Sequence, residues 1–302
     1  METAHNDTSE PPLGLFRINA GSCNGCDVEL AATAAVSRFD VERLGCRYTE
    51  SPGEAAIVLI TGPLTARVRE KALRLHGAVP EPKVTVAVGV CPVSGGVFRD
   101  SYAVAGPVDA YLPVDVNVPG CPPRPQAIVA GIAEAVLLWK ARRDGVPPPT
   151  AGSLPESGGE NAAPAGVRGR MRFNAAACVG CRMCAHVCAG SAIRFDEEEA
   201  GLRFTLWHNS CAFCALCAHY CRTGALAVTE EWQLAHRHEE QYRLVEQGVV
   251  PRLPCAGCGE PLLPVPPELL RVAFRETSPE IARLTALCPE CRQKESIGGT
   301  RR

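Results

Sequence analysis

Ala55–Gly96, AAIVLITGPLTARVREKALRLHGAVPEPKVTVAVGVCPVSGG, is the stretch on which the fold turns. Ala55–Gly62 and Lys83–Val90 are short β-branched runs bounded by Pro and Gly, the pattern of strands buried on both faces. Between them, Leu64–Val79 repeats apolar residues at helical spacing, through Leu64, Val68, Ala72 and Leu75. A strand, a helix and a second strand in this order predict a parallel sheet with helices on its faces. Working outward, Tyr111–Val118 reads as a third strand. Pro122, Pro123 and Pro125 then lead into an apolar helix, Gln126–Ala141, since proline is tolerated where a helix begins. Residues 13–142 are thus expected to form one α/β domain.

The remaining chain is organised differently. Residues 143–170 are rich in Pro, Gly, Ser and Ala and read as a flexible linker. Residues 171–230 form a cysteine-rich module, residues 231–250 a polar connecting helix, and residues 251–293 a second, smaller cysteine-containing element. Residues 294–302 read as frayed. The 302 residues include 31 basic and 33 acidic side chains, a net charge of −2, which gives no general electrostatic reason to bind nucleic acid or an anionic membrane. The apolar run around Ala127–Trp139 is shorter than the roughly 18–20 residues of a membrane-spanning helix. The N-terminus lacks the basic and apolar regions of a secretory signal, so a cytoplasmic location is expected.

Seventeen cysteines dominate the chemistry. An odd number in a chain this long does not suit a disulfide framework, and sixteen of them fall into four sets of four. Thiolate is the soft ligand that selects iron–sulfur clusters and zinc. Cys178, Cys181, Cys184 and Cys188 follow C-x₂-C-x₂-C-x₃-C, and Cys211, Cys214, Cys217 and Cys221 repeat it 33 residues later. This pair of runs resembles the bacterial two-cluster ferredoxins. The resemblance implies a small α+β module holding two [4Fe–4S] clusters, three cysteines of each run serving one cluster and the fourth reaching to the other. One cluster would take Cys178, Cys181, Cys184 and Cys221, the other Cys211, Cys214, Cys217 and Cys188. Ala189 and Arg222 stand where that family usually has proline, a change that removes no ligand. His186 and His219 occupy equivalent places in the repeat and read as exposed or packed side chains, four thiolates already completing each cluster.

The first domain carries a dispersed set: Cys23 and Cys26 in GSCNGCDVE, Cys91 in VGVCPVSGG and Cys121 in VPGCPPRP. Each lies near an inferred strand end or helix start, the edge of an open sheet where cofactors gather. The stretch from Leu13 to Arg142, with DSYAVAGPVDAYLPVDVNVPGCPPRP at Asp100–Pro125, resembles the iron–sulfur subunit that adjoins the quinone site of respiratory complex I. It is still more similar to the small subunits of membrane-bound, energy-converting [NiFe] hydrogenases and formate hydrogenlyase-type complexes. Cys23-Asn-Gly-Cys26 matches that branch, whereas complex I proteins generally have two adjacent cysteines there. The resemblance implies a flavodoxin-like domain holding one [4Fe–4S] cluster through Cys23, Cys26, Cys91 and Cys121. It also offers Glu29 as a proton relay, but the plainer reading of a carboxylate at a helix start is favoured. Arg124 reads equally as a cation near the cluster and as one half of a surface salt bridge, and Cys46 as a buried structural thiol.

Cys255-x₂-Cys258 and Cys288-x₂-Cys291 resemble a zinc ribbon, a closed tetrahedral site for one zinc ion. A structural or docking role is favoured over nucleic-acid binding, and a fourth iron–sulfur cluster is the alternative. No G-x-G-x-x-G or P-loop is present, nor the second pair of C-x₂-C motifs with which a large subunit would bind nickel.

These readings converge on an electron-transfer subunit of a hydrogenase-like complex, with three [4Fe–4S] clusters and one zinc. Its expected partners are a [NiFe] hydrogenase-like large subunit, membrane subunits of an energy-converting complex that hold it on the inner face of the membrane, and a donor linked to formate, CO or ferredoxin. The first alternative is a nickel-free relative of complex I. The second is a non-enzymatic iron–sulfur sensor or assembly protein.

Overall fold

The structure, a computed structural model, describes residues 11–150, 167–263, 265, 267–274 and 278–298. In chain order the first half forms β1 (Leu13–Asn19), α1 (Gly25–Ala35), β2 (Cys46–Tyr48), β3 (Ala55–Thr61), β4 (Leu64–Thr65) and α2 (Arg69–Gly77). It continues through β5 (Val84–Val88), α3 (Val90–Ser94), β6 (Val104–Gly106), β7 (Val116–Val118) and α4 (Pro125–Asp144). The second half contributes β8 (Met171–Phe173), α5 (Met183–His186), β9 (Ile193–Glu198), β10 (Gly201–Trp207), α6 (Leu216–His219) and β11 (Leu226–Val228). Last come β12 (His236–Arg237), β13 (Val245–Pro251), β14 (Leu253–Pro254), β15 (Pro261–Leu262), α7 (Pro267–Ala273), α8 (Pro279–Thr285) and α9 (Pro289–Gly298).

The chain divides into two units. One comprises the described residues up to Arg170 with His208–Phe213 and Glu230–Leu244. Its six-stranded sheet runs in the order β12-β7-β5-β3-β1-β2. All neighbours pair in parallel except β12, which runs antiparallel to β7. The five parallel strands follow the doubly wound order of flavodoxin-like sheets, with the reversal of winding between β1 and β3. Every residue of β3 and β5 is buried. Alternate side chains serve two cores: Leu15, Ile57 and Leu59 pack with α1 and α4, whereas Phe16, Val58 and Ile60 pack with Ala72 of α2. Such two-sided burial explains why these strands read as continuous apolar runs.

Several expectations shift in position. The helix expected over Leu64–Val79 begins only at Arg69, because Leu64, fully buried, opens the short strand β4 against β6. The third strand shrinks from Tyr111–Val118 to Val116–Val118. Pro113 has no N–H to donate, and the Asp115 carboxylate takes the Thr85 amide at 2.7 Å. Most of the linker expected over 143–170 lies outside the described residues, but its first two residues complete α4, which stops at Gly145 with φ 65°.

The connecting helix expected over 231–250 is absent. His236–Arg237 pairs with Val116–Asn117 as β12, and Val245–Pro251 pairs along β10 as β13. Arg237 decides the first of these: its guanidinium is buried beside the equally buried Glu134 of α4, and it also donates to the Pro149 carbonyl at 2.6 Å. Residues 294–298 are likewise not frayed but belong to α9.

The other unit comprises Met171–Trp207, Cys214–Thr229 and the described residues from Val245 onward. It contains the three-stranded antiparallel sheet β13-β10-β9 and the pair β8-β11. Phe173 stacks on Phe204 at 4.0 Å, and Phe195 meets the same ring edge-on. Leu202, Ala225 and Val250 pack with Cys178 in one core, and Cys255, Leu287 and Cys288 form another.

Arg237→Ala leaves Glu134 buried without its cation and is expected to cost about 3–5 kcal/mol of stability. Urea unfolding followed by circular dichroism measures it, and a change below about 1 kcal/mol, the value of an exposed pair, would contradict the assignment.

Candidate metal centres

The dispersed cysteines stand where parallel strands end. Cys23 lies in the turn between β1 and α1, Cys26 in the first turn of α1, Cys91 in α3 just beyond β5, and Cys121 just beyond β7. This carboxyl edge, beside the reversal of winding, is the ligand-binding edge of open α/β sheets. Cys26 and Cys91 are buried, Cys23 and Cys121 exposed. Burial pushes the Cys26 thiol up to about 12, and Cys91, Cys121 and Cys23 push the same way. Cys91 is also raised to about 12, by burial first and then by Cys121 and Cys23. Cys26 and Cys91, raised by burial and by the neighbouring thiols, would therefore give up their protons only against a positive centre.

The backbone around them is shaped for a bulky ligand. Gly89 has φ 94°, and a Cβ there would stand 2.6 Å from Cys26 Sγ. A Cβ on Gly96 would lie 3.3 Å from Cys91 Sγ. The Cys23 turn is held by Asn19, whose Oδ1 accepts from the amides of Gly21 at 3.0 Å and Ser22 at 2.8 Å. Asp27 anchors the start of α1 through Arg17 and through the Thr61 hydroxyl at 3.0 Å. Burial acts to raise its carboxyl, but hydrogen bonds from Ser22, Arg17 and Thr61 outweigh this and hold it below the ordinary value. Sequence reading missed Asn19, Asp27 and Gly89. The acidic residue directly after Cys26 was the available signal.

Glu29 is not at the helix start, a place taken by Asp27, but in the second turn of α1. It lines a cleft with Cys121, Arg124 and Trp232. Burial raises its carboxyl while Arg124 opposes the shift. Cys46 is fully buried, and burial raises its thiol to about 12.

In the repeat, equivalent residues adopt equivalent conformations: Arg182 with φ 59° opens α5, and Ala215 with φ 65° opens α6. The Gly180 amide donates to Cys178 Sγ at 3.4 Å, and its counterpart at Phe213 donates to Cys211 Sγ at 3.3 Å. Burial raises the Cys178 thiol, against the Gly180 amide, with further increments from Cys181 and Cys221. Cys184 is raised to about 12 by burial, with Cys178, Cys217 and Cys181 adding to it. Cys217 reaches about 11, again through burial first, with Cys188 and Cys214 nearby. Cys221 thus lies in the field of Cys178, and Cys188 in that of Cys217. His186 and His219 are exposed.

The last set is tighter. The sulfurs of Cys255, Cys258, Cys288 and Cys291 all lie within 4.8 Å of one another, the one such set among the described residues. Cys258 and Cys288 are 3.6 Å apart. Four thiolates around a single zinc ion, with Zn–S of about 2.3 Å, stand about 3.8 Å apart, so these four suit one tetrahedral ion. The Cys288 amide donates to Cys255 Sγ at 3.1 Å and the Gly257 amide at 3.4 Å. Chiefly through the Cys288 amide, the Cys255 thiol is drawn down to about 6.

Residues 23–135 match the family described as NADH ubiquinone oxidoreductase, 20 Kd subunit. The chain is 45% identical over 135 residues to the probable membrane-bound hydrogenase subunit mbhJ of Pyrococcus furiosus, covering 44% of this chain and 80% of that protein. It is 43% identical over 128 residues to formate hydrogenlyase subunit 7 of Escherichia coli, covering 42% of this chain and half of that protein. An NADH-quinone oxidoreductase subunit of Heliobacterium modesticaldum is 47% identical over 107 residues, 35% of this chain and 61% of that protein.

Gly89→Ala drives a methyl group toward Cys26 and is expected to strip metal from the dispersed set while about one zinc stays with the last four cysteines. Metal analysis of the purified variant reads this, and wild-type iron content would contradict it.

Proposed function

The chain belongs to the NADH ubiquinone oxidoreductase, 20 Kd subunit family, and we propose that it is the electron-transfer subunit of a hydrogenase-type oxidoreductase complex, working beside a nickel–iron site in a separate large subunit. One observation carries this reading. Cys23, Cys26, Cys91 and Cys121 converge at one sheet edge, and all four fall within the residues that match the family. One relative is named as a membrane-bound hydrogenase subunit, and another as a formate hydrogenlyase subunit.

When bound, [4Fe–4S] clusters would supply one-electron transfer at three places: the dispersed set, Cys178 with Cys181, Cys184 and Cys221, and Cys211 with Cys214, Cys217 and Cys188. The protein's own work is to hold and tune. Buried Cys26 and Cys91 fix one site on the inner side, Gly89 and Gly96 leave room for it, and Cys23 and Cys121 bring its edge to the surface. The two equivalent runs, 33 residues apart and alike in backbone, support the crossed ligand sets of a two-cluster ferredoxin module, with Cys221 close enough to raise Cys178 and Cys188 close enough to raise Cys217, as Cys217 also raises Cys184. Amides donating to Cys178 and Cys211 are the kind of contact that tunes such sites. The compact grouping of Cys255, Cys258, Cys288 and Cys291 supports a zinc-ribbon-like element holding one zinc.

The partners this reading requires are a [NiFe] hydrogenase-like large subunit and the membrane subunits of an energy-converting complex, with electrons exchanged with a formate-, CO- or ferredoxin-linked system. No helix among the described residues is long and apolar enough to cross a membrane. In this reading, attachment to the inner membrane face runs through partner subunits. The identity with an NADH-quinone oxidoreductase subunit favours a second reading, a nickel-free relative in which the large subunit serves another acceptor.

Cys121→Ser is expected to abolish hydrogen-linked reduction of the complex while about eight of about twelve iron atoms per chain remain. Electron paramagnetic resonance and iron analysis check it. Loss of all iron, or unchanged activity, would overturn the assignment.

A further inference from the structure

Two equivalent turns lead into the two cysteine runs, and they differ in a way that the holding of metal does not explain. Ala175–Ala177 and His208–Ser210 are single 3₁₀ turns that stand 33 residues apart, each directly before the first cysteine of its run. Each is closed by that cysteine's amide, Cys178 donating to the Ala175 carbonyl at 3.2 Å and Cys211 to the His208 carbonyl at 3.0 Å. The first turn is all alanine and half-buried or exposed. The second is all polar and buried. Burying polar side chains where alanine serves the same turn costs free energy unless each polar atom finds a partner.

Most of them do. His208 Nδ1 lies 3.3 Å from the Leu244 carbonyl. The Asn209 side-chain amide donates to the Gln241 carbonyl at 3.2 Å and to His236 Nε2 at 3.1 Å, and the Asn209 carbonyl accepts from the Ser94 hydroxyl at 3.3 Å. The turn is thereby fixed in place by α3 and by the segment that carries β12. Asn209 Oδ1 and Ser210 Oγ, by contrast, have no hydrogen-bond partner among the described residues. An amide oxygen only accepts, whereas a hydroxyl also donates. Ser210 is 1% exposed, so water at the surface does not serve it, and it adjoins Cys211 in the chain. Its counterpart before Cys178 is Ala177, which has no donor to offer. Sulfur is the acceptor at hand, since Cys211 Sγ already takes the Phe213 amide at 3.3 Å.

We propose that the Ser210 hydroxyl donates a hydrogen bond to a sulfur of the cluster that Cys211 helps to hold, and that this makes it the more easily reduced of the two clusters in the repeat. The inference rests on the reading of the eight repeated cysteines as iron–sulfur ligands and deepens it by setting the two sites at different potentials. Reduction adds one negative charge to a cluster, so a donor aimed at its sulfur stabilises the reduced form more than the oxidised one. The amides of Gly180 and Phe213 are equivalent in the two runs and cancel in the comparison, which leaves the hydroxyl as the difference. Asn209 is the positioning residue, holding the turn from which the hydroxyl is presented.

The test uses the full chain, purified without oxygen and reduced stepwise while electron paramagnetic resonance follows each cluster. In Ser210→Ala, the more easily reduced of the repeat's two signals is expected to become about tenfold harder to reduce, about 59 mV for one electron, while iron content and the other signals stay as in the wild type. Ser210→Thr keeps the hydroxyl and is expected to hold the wild-type potential. Ser210→Gly, which also lacks the hydroxyl, replaces the alanine variant if that chain does not retain its iron. An unchanged potential in an iron-replete variant, the result if an internal water takes the hydroxyl instead, would overturn the proposal. So would an equal shift of every cluster, a fall in Ser210→Thr as large as in Ser210→Ala, or loss of iron from both hydroxyl-free variants, which makes Ser210 a scaffold residue. Failure of the underlying cluster reading shows separately, as a wild-type chain that gives no iron–sulfur signal from the repeat on reduction.

Discussion

The proposed metal centre of the first unit rests on one condition: thiols must surrender their protons while buried. At the carboxyl edge of the first unit's sheet, Cys26 and Cys91 are both pushed up to about 12 by burial and by the neighbouring thiols. Without a positive centre such groups stay protonated, and with one they become a tight ligand set, so metal loading and local order are coupled. The sheet supplies the geometry. β1, β5 and β7 end at one level and deliver Cys23, Cys91 and Cys121 to the same place. Gly89, between β5 and α3, cannot carry a side chain without striking Cys26.

The second half of the chain does more than append further cysteines. Two of its segments belong structurally to the first unit. His208–Phe213 is tied to α3 through the Ser94 hydroxyl, which donates to the Asn209 carbonyl at 3.3 Å. Glu230–Leu244 adds β12 to the sheet edge and buries Arg237 against Glu134. These contacts make the first unit dependent on residues that follow the first cysteine repeat, so the unit is not closed at the end of α4. Its family match, by contrast, ends at residue 135.

Much of the first unit was legible because its signals are local. β3 and β5 announce themselves as β-branched runs, and α4 as an apolar helix opened by Pro125 and closed before Gly145. The cysteine sets stand out in the sequence because their short, regular spacing is of the kind metal ligation requires. What escaped depends on tertiary pairing. β1, in the parallel sheet between β3 and β2, was not singled out as a strand, and its partnership shows only in the pairing register. The polar stretch 231–250 reads as helix by composition, yet parts of its backbone are claimed by Val116–Asn117 and by β10. The supports of the Cys23 turn, Asn19 and Asp27, carry no motif of their own. Glu29 was singled out and lies beside Cys121 and Arg124, but one turn deeper in α1 than a helix-start carboxylate.

The claim that this chain serves a nickel–iron partner is tested most directly by metal analysis of the intact complex, purified without oxygen from its native host. The account predicts nickel in near-equal amount to this chain, with about twelve iron and one zinc. The same iron with no nickel, although the large partner is present and intact, would contradict it.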